Sequence, residues 1–324
     1  MHMNIVYSSD ENYAQHLCVS LVSLLENNKE DLSMNLFIIS NKISDASKDK
    51  ISDVAKRYGK KIEWIDFLPF QSELNLDMEW PISISSYARL FIAEMLPAWC
   101  KKVIYLDCDT VVCSSLSGMW AVEMKNCSVA GVEDLIQNEF KEKIGMNLAD
   151  HYINAGILLI DLQKWREKNQ GKLFLDFIND YKGRVTHHDQ GVINGTLHQE
   201  CLILPPQYNV MTPFFTKKYN DIRSFYQLAQ YYSEEEIQRA TTKPVIIHYT
   251  PECVGRVWEY DCKHPKVDLY RKYLDLTPWK GNLMHAKKIP LKLHILYWMQ
   301  KNLPITVISF LLKFKRAIDT GKKT

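Results

Sequence analysis

The sequence predicts an α/β fold in which helices cover both faces of a doubly wound, mixed sheet. Short apolar runs alternate with helical segments near the amino terminus, which is the order typical of such sheets. A strongly apolar run at 103–106 ends on two aspartates, as expected of a buried strand with a ligand at its carboxyl end. At 324 residues, the chain has room for one large domain and an appendage.

The first five elements form a β-α-β-α-β unit. Strands are predicted at residues 3–7, 36–39 and 62–67. A helix is predicted at 13–26, because its leucines and valines recur at helical spacing. A polar helix at 44–58 precedes the third strand and ends at Gly59.

The later elements continue this alternation. Further strands are predicted at residues 103–106, 127–132, 152–160 and 245–247. Helices are predicted at 85–96, with Ser85 or Ser86 as N-cap, and at 162–169 and 173–181. Neither a G-x-G-x-x-G fingerprint nor a P-loop occurs, so the sequence does not indicate those modes of phosphate binding.

Two carboxylates, Asp107 and Asp109, follow the strand at 103–106, with Cys108 between them. Carboxylate oxygens at the carboxyl end of a strand suit a hard divalent cation that also carries phosphate oxygens. The alternative is that the two aspartates cap a turn, which is a common role for Asp after a strand.

This D-x-D pattern serves two chemistries. In nucleotide-sugar glycosyltransferases the pair holds a metal on the diphosphate, whereas in haloacid-dehalogenase-type phosphatases the first aspartate is the nucleophile. The phosphatase pattern continues with Thr or Val, and Thr110 and Val111 follow here, so the local sequence also matches the phosphatase. The phosphatase also needs a Gly-Asp or Asp-Asp cluster for its Mg²⁺, and the chain contains neither dipeptide. The sequence therefore favours the nucleotide-sugar site.

Three further features add polar groups to the strand ends. Arg89 lies on the helix before the D-x-D strand, where it either reaches the same pocket or snorkels at the surface. Asn154, Ala155 and Gly156 interrupt an apolar strand, which indicates close approach of a ligand or tight sheet packing. His248 follows the last predicted strand, where a lone histidine is more often structural. With the two aspartates, however, it completes an O/O/N ligand set that suits Mn²⁺ and tolerates Mg²⁺.

Together these motifs resemble the retaining glycosyltransferases of family 8, the group of bacterial lipooligosaccharide galactosyltransferases and of glycogenin. The resemblance spans residues 3–260 and implies a GT-A type, Rossmann-like fold. The matching motifs are VYSSDENY (6–13), SSYARL (85–90), YLDCDTVV (105–112), VEDL (132–135), KIGM (143–146), NAG (154–156) and HHDQGVIN (187–194).

The resemblance implies a role for each site residue. The metal ligands would be Asp107, Asp109 and His248. The uracil base and ribose would contact Ser8, Asp10, Asn12 and Tyr13. The catalytic site around the donor sugar would contain Gln190, Asp189, Arg89, Asp134 and Asn154. The sugar-binding strand and the diphosphate contacts would add Ala155, Gly156, Gly255 and Arg256, and KIGM would form a loop over the substrate.

The sequence departs from the family pattern at two places. Gly191 stands where some members carry an acid directly after Asp-Gln, so no carboxylate nucleophile is available at that position. After His248-Tyr249 the family has Gly and then Lys-Pro-Trp, whereas this chain has Gly255, Arg256, Val257 and Trp258 at a longer spacing. Arg also neutralises a diphosphate, but with planar bidentate geometry.

The resemblance implies transfer of glucose or galactose from a UDP-sugar to a glycan or glycolipid acceptor, with retention at the anomeric carbon. Because a Gln amide is a poor nucleophile, we expect attack by the acceptor on the same face rather than a covalent intermediate. We expect loops at 140–150 and 205–220 to form the acceptor pocket. The rival hypothesis from another class is a non-catalytic nucleotide-sugar-binding protein on the same fold.

The carboxyl-terminal region differs from the rest in charge. Residues 285–324 contain nine Lys or Arg residues and one acid, whereas the remainder is acidic. We predict a catalytic domain at 1–262 and a helical, basic tail at 263–324. The segment at 287–316 mixes apolar and aromatic residues with cations, and Lys301 and Pro304 divide it into parts too short to span a bilayer. We expect it to bind an anionic membrane surface.

The cellular setting follows from the same composition. The eight cysteines form no C-x-x-C pair, and the polar residues from Ser8 onward do not resemble a signal peptide. We therefore expect a cytoplasmic protein that is peripheral at the inner face of the cell membrane. Nothing in the sequence indicates a nucleic-acid partner.

Overall fold

The computed structural model describes residues 2–30, 33–74, 76–77, 83–228, 230–251 and 254–285. Its strands are β1 Met3–Asp10, β2 Met34–Asn41, β3 Ile62–Asp66, β4 Lys102–Leu106, β5 Thr110–Val112, β6 Val129–Glu133, β7 Ile153–Asp161, β8 Cys201–Ile203, β9 Val210–Met211 and β10 Ile246–His248.

The α-helices are α1 Ala14–Asn27, α2 Asp45–Arg57, α3 Leu68–Gln71, α4 Ile92–Met95, α5 Ser117–Trp120, α6 Asn138–Glu142, α7 Leu162–Glu167, α8 Gln170–Asp180, α9 His188–Leu197, α10 Thr212–Thr216, α11 Tyr219–Tyr226, α12 Glu234–Thr242 and α13 Val267–Leu274. Short 3-10 helices lie at Glu11–Tyr13, Ile84–Phe91, His198–Glu200 and Pro206–Tyr208. Within the part of the chain that the structure describes, no helix is long and apolar enough to cross a bilayer.

Seven strands form the main sheet in the order β3-β2-β1-β4-β7-β6-β8. β1 is parallel to both β2 and β4, whereas β7 is antiparallel to both β4 and β6. The predicted doubly wound, mixed sheet is therefore confirmed. After β1 the chain proceeds to β2 on one side and later returns to β4 on the other. Such a switch point opens a crevice at the carboxyl ends of the strands, where ligands bind in α/β proteins.

A second, three-stranded sheet has the order β5-β10-β9. Its register pairs His248 with Thr110 across the antiparallel β10 and β5, and with Met211 across the parallel β9. Because Thr110 directly follows Asp109, this pairing places the end of β10 beside the D-x-D turn. The sequence predicted the strand at 245–247 but not the small sheet to which it belongs.

Hydrophobic cores lie on both faces of the main sheet. One contains the apolar side chains of α1, including Leu17, Leu21 and Leu24, which are fully buried. The other is formed by Tyr87 and Leu90 of the 3-10 helix at Ile84–Phe91 together with residues of α4, α7, α8 and α9. The helical spacing predicted in α1 thus corresponds to burial against the sheet.

Two local predictions differ from the structure, and one helix was not predicted. The predicted helix at 85–96 is a 3-10 helix at Ile84–Phe91 followed by one α-helical turn, and its N-cap is Ser83 rather than Ser85 or Ser86. β1 continues through Ser8 and Ser9 to Asp10, because β2 offers paired partners as far as Asn41. The helix α9 was not predicted.

The carboxyl-terminal region continues the fold beyond the predicted boundary at 262. Tyr270, Tyr273 and Leu274 of α13 are buried in the same core as α1, and the Tyr270 hydroxyl lies 2.7 Å from His16 Nδ1. Residues 286–324 lie outside the described residues. The predicted membrane-binding segment at 287–316 falls there, so membrane binding stays a prediction.

Candidate active site

A cavity of about 1010 Å³ opens beside the carboxyl ends of β4 and β10. Part of its lining comes from the D-x-D turn, the 3-10 helix at Ile84–Phe91, β7, α9, β10 and the loop that follows β10. These residues are Arg89, Asp107, Asp109, Asn154, Ala155, Gly156, Asp189, Gln190, His248 and Arg256. Side chains that are distant in the sequence therefore share one wall because of the sheet topology.

Hydrogen bonds on both sides hold the D-x-D turn in place. The Asp107 backbone N–H donates to the Gly156 carbonyl at 2.7 Å, and the Thr110 hydroxyl donates to the Asp107 carbonyl at 2.7 Å. Cys108 faces the protein interior, with its Sγ 3.2 Å from the Ser8 carbonyl. Burial raises the pKa of this thiol, so we assign Cys108 no chemistry.

Asp107, Asp109 and His248 converge on one point. Each offers a ligand atom, and these atoms all lie within 4.8 Å of one another. Asp109 Oδ1 lies 3.2 Å from His248 Nε2. Two carboxylate oxygens and one imidazole nitrogen are a donor set that suits Mn²⁺ or Mg²⁺, so the residues fit the predicted metal.

The three groups affect each other's protonation. Burial raises the pKa of Asp109, but the His248 charge, the hydrogen bond to it and Arg256 outweigh burial and hold that pKa at about 2. Burial lowers the pKa of His248, but Asp109 and Asp107 raise it above its ordinary value. Burial is the main cause of a raised pKa at Asp107, against the opposing charge of Arg89.

Arg89 is buried and bridges two carboxylates. Its Nη2 lies 2.9 Å from Asp107 Oδ1, and its Nε lies 2.9 Å from Asp189 Oδ2. The guanidinium also donates to the Ala155 carbonyl and lies 4.6 Å from the centre of the Tyr105 ring. The alternative of a snorkelling surface residue is therefore wrong, because the side chain is only 6% exposed.

Gly156 is required by close packing. A Cβ there would lie 2.9 Å from Asp107 Oδ2 and 2.9 Å from His248 Nδ1, closer than real Cβ contacts occur. Of the two explanations for the small residues in β7, tight packing accounts for this glycine. Its neighbours are nevertheless the candidate metal ligands.

We predict that Gly156→Ala impairs the site more than the fold. The added methyl group must displace His248 or Asp107, and a misplacement of about 1 Å costs roughly 100-fold in turnover. Steady-state transfer assays and circular dichroism melting would measure the two effects. Gly59→Ala is the control, because a Cβ at Gly59 meets no atom within 4 Å although its φ is +68°. That control should lose stability only, and equal activity of both variants would contradict the prediction.

Gln190 is held by three hydrogen-bonding partners. Its Oε1 accepts from the Ala155 N–H at 3.0 Å, and its Nε2 donates to Asp134 Oδ2 at 2.8 Å and to the Tyr152 hydroxyl at 3.4 Å. Asp134 Oδ2 also accepts from Asn154 Nδ2 at 3.2 Å. The helix α9 was not predicted from the sequence. Its Gln190 nevertheless forms hydrogen bonds with two predicted site residues, Ala155 of β7 and Asp134, which directly follows β6.

Asp189 and Gly191 flank Gln190 on α9. The side chain of Asp189 is 8% exposed and is paired with Arg89. A Cβ at Gly191 would overlap the Thr186 carbonyl oxygen. The backbone therefore admits no side chain at position 191, which explains why this chain cannot carry an acid there.

A family model described as glycosyl transferase family 8 matches residues 4–261. The chain belongs to this family. The chain is 29% identical over 281 residues to general stress protein A of Bacillus subtilis, covering 86% of this chain and 94% of that protein. It is 27% identical over 293 residues to a lipopolysaccharide 1,2-glucosyltransferase of Escherichia coli, covering 88% and 81%.

The fold agrees with solved structures. The galactosyltransferase LgtC in complex with donor and acceptor sugar analogs aligns with a TM-score of 0.71 at 26% identity, over 90% of this chain and 99% of LgtC. The predicted family and GT-A type fold are thereby confirmed, and the alternative of a D-x-D phosphatase is wrong. The protein is a family 8 glycosyltransferase.

The residues predicted to hold the base and ribose lie apart from the cavity lining. The Ser8 hydroxyl donates to the Ser85 carbonyl at 2.7 Å, and Asp10 accepts hydrogen bonds from Ser83 and from the Tyr13 N–H. Asn12 is exposed on the first 3-10 helix. Ser8 and Asp10 thus join β1 to the segment before Arg89, and the predicted base contacts remain untested.

Arg256 connects this region to the candidate metal ligands. Its Nη1 lies 3.3 Å from Asp109 Oδ2, and its guanidinium lies 5.1 Å from the centre of the Trp258 ring. Tyr13 packs edge-on against the same indole at 5.9 Å. Gly255 directly precedes Arg256 and has φ +79°, a left-handed conformation that favours glycine.

Sequence reasoning missed several residues of the site. Asn209 is fully buried with its Oδ1 3.1 Å from His248 Nδ1, and no local pattern marks it. His187 and His188 belong to the HHDQGVIN motif but were given no role, and both have positive φ and line the cavity. Phe140 and Lys143 of the expected loop at 140–150 line it as well, together with residues 183–186. Lys143 is the KIGM residue that lines this cavity, whereas the expected residues at 205–220 do not line it.

Proposed function

We propose that this family 8 glycosyltransferase is a metal-dependent, retaining enzyme that moves glucose or galactose from a UDP-sugar to a glycan acceptor. One observation carries the proposal. A two-aspartate, one-histidine cluster and two arginines line the same cavity as Gln190 and Asn154, which both donate hydrogen bonds to Asp134. The first group suits a diphosphate, and the second suits sugar hydroxyls.

The relatives support a cell-surface glycan as the product. One is named a lipopolysaccharide 1,2-glucosyltransferase, and LgtC is named a galactosyltransferase. An active-site mutant of LgtC in which glutamine is replaced by glutamate has a TM-score of 0.71 at 25% identity. We infer lipopolysaccharide or a related glycan as the acceptor class.

The residues of this chain prepare the departure of the leaving group. A bound Mn²⁺ or Mg²⁺, held by Asp107, Asp109 and His248, would supply positive charge to the diphosphate. Arg256 lies at Asp109 and can add a second cation at the same place. Arg89 holds Asp107 and Asp189 in fixed positions, so the anionic side chains need no rearrangement when the donor binds.

Gln190 bears on the choice between two retaining mechanisms. Both ends of its amide are engaged, with the carbonyl oxygen accepting from Ala155 and the NH₂ group donating to Asp134. An amide oxygen is a weak nucleophile, and this one is already occupied. We therefore favour same-face attack by the acceptor hydroxyl, with Gln190 and Asp134 orienting the sugar.

We predict that transfer requires a divalent cation and that Mn²⁺ supports it best. The measurement is release of UDP from UDP-glucose and UDP-galactose with lipooligosaccharide and free glycan acceptors, before and after chelation. Full activity after exhaustive chelation would contradict the metal requirement. Binding of UDP-sugar without UDP release under any of these conditions would instead support the rival hypothesis, a nucleotide-sugar-binding protein.

The base of the donor nucleotide and the anomeric configuration of the product need two further measurements. UDP should raise the melting temperature in Mn²⁺ more than GDP or ADP does, and greater protection by GDP or ADP would refute the uridine assignment.

An NMR spectrum of the product should show an α-anomeric proton, and a β-anomeric coupling would refute retention.

A further inference from the structure

A chain of hydrogen bonds runs from Asp134, the partner of Gln190, to His248 through a residue with no assigned role. It begins at Asp134, passes through Asn154 and Asn209, and ends at His248. Asn154 Nδ2 lies 3.2 Å from Asp134 Oδ2, Asn209 Nδ2 lies 2.9 Å from Asn154 Oδ1, and Asn209 Oδ1 lies 3.1 Å from His248 Nδ1.

The orientation of the Asn154 amide is fixed from two sides. Asp134 carries a carboxylate that also accepts hydrogen bonds from Gln190 Nε2 and the Leu135 N–H, so it must face the NH₂ group of Asn154. On the other side, the Gly156 backbone N–H can only donate, and it lies 3.0 Å from Asn154 Oδ1. A flipped amide would oppose both partners.

This orientation determines the next amide. Asn154 Oδ1 is an acceptor, so the neighbouring group of Asn209 must be its NH₂. The Asn209 carbonyl oxygen therefore faces His248, and Nδ1 of the imidazole must carry the proton that this oxygen accepts. The side chain of Asn209 is fully buried, so water does not offer an alternative partner.

We propose that Asn209 is a positioning residue that holds His248 with Nδ1 protonated and Nε2 directed at the metal. The Nε2 atom is the one beside Asp109, at 3.2 Å, so this tautomer leaves the lone pair where the other ligands converge. Fixing the tautomer of a metal-binding histidine through its second nitrogen strengthens metal binding. The inference rests on the proposed metal site.

The test measures Mn²⁺ affinity by the electron paramagnetic resonance signal of free Mn²⁺, with no sugar donor present. Asn209→Leu removes both hydrogen bonds at similar volume, and we expect about 10–100-fold weaker binding. Asn209→Asp loses the donor to Asn154 but keeps an oxygen that accepts the Nδ1 proton, so we expect its Mn²⁺ affinity to fall less than that of Asn209→Leu.

A matched control separates positioning from general loss of packing. Asn28 is also buried, donates to the Leu24 carbonyl and accepts from the Leu116 N–H. Neither hydrogen bond involves a candidate metal ligand. Asn28→Leu should lower the melting temperature and leave Mn²⁺ affinity unchanged. A second measurement is an NMR spectrum of the ¹⁵N-histidine-labelled wild type with saturating Mg²⁺. It should show that the proton of the His248 ring is on Nδ1.

Each result has a distinct meaning. Equal Mn²⁺ affinity of Asn209→Leu and the wild type would overturn the positioning role, as would an equal loss in Asn209→Asp and Asn209→Leu. If Asn209→Leu does not fold, the position of the His248 proton in the Mg²⁺-loaded wild type decides, and a proton on Nε2 overturns the inference. Absence of Mn²⁺ binding to the wild type would remove the proposed metal site itself.

Discussion

Asp109→Ala should lower turnover by a factor on the order of a thousand, which is roughly the cost of removing a main electrostatic stabiliser. Asp109 touches both His248 and Arg256, and its low pKa keeps it anionic throughout the neutral range. Its removal therefore deprives the metal of a charged ligand and leaves Arg256 without its carboxylate partner.

Two further variants sharpen this test. Asp109→Asn keeps the volume and removes the charge, so it should lose nearly as much activity as the alanine variant. Asp53→Ala is the control, because Asp53 is 70% exposed in a surface pair with Lys56 and should leave turnover unchanged. Retention of a tenth or more of wild-type turnover in Asp109→Asn would show that charge at this position is not decisive.

Arg89→Ala should destabilise the protein by about 3–5 kcal/mol, the usual cost of removing one partner of a buried ion pair. The Arg89 and Asp189 side chains are only 6% and 8% exposed, so the carboxylate of Asp189 would be left buried without its cation. Arg89→Lys should recover only part of this loss, because an ammonium group cannot bridge Asp107 and Asp189 with planar geometry.

Urea unfolding measures this effect directly. The control is Lys56→Ala, which removes a surface ion pair with side chains 71% and 70% exposed and should cost no more than about 1 kcal/mol. If Arg89→Ala unfolded at the same urea concentration as Lys56→Ala, the ion pairs of Arg89 would contribute nothing to stability. Turnover should fall in Arg89→Ala as well, since Asp107 and Asp189 lose their common anchor.

The strands with long apolar runs could be predicted from the sequence, because a strand that is buried on both faces consists mostly of apolar residues. β4 and β7 are fully buried over most of their length, and both consist of nearly continuous apolar residues. In the second sheet β10 was predicted, but β5 and β9 have only three and two residues, a length that gives no periodicity to detect.

The helix α9 could not be predicted for a different reason. It contains Gly191 and Gly195, which disfavour helices, and it follows His187 in a left-handed conformation. Buried Val192, Ile193 and Leu197 hold it against the core, and Asn194 accepts from the Ile153 N–H of β7 at 2.7 Å. Tertiary packing therefore overrides a weak local preference.

The sequence by itself indicated the candidate metal ligands and the strand ends at which they lie. It marked Asp107, Asp109 and His248 because carboxylates and imidazole are metal ligands whatever the fold. Only the tertiary structure decided that β10 pairs with β5, that Arg89 joins Asp107 to Asp189, and that Asn209 reaches His248. The Asp109–Arg256 pair joins residues 147 positions apart, and the pairing of β10 with β5 depends on sheet register. A local pattern of side chains specifies neither.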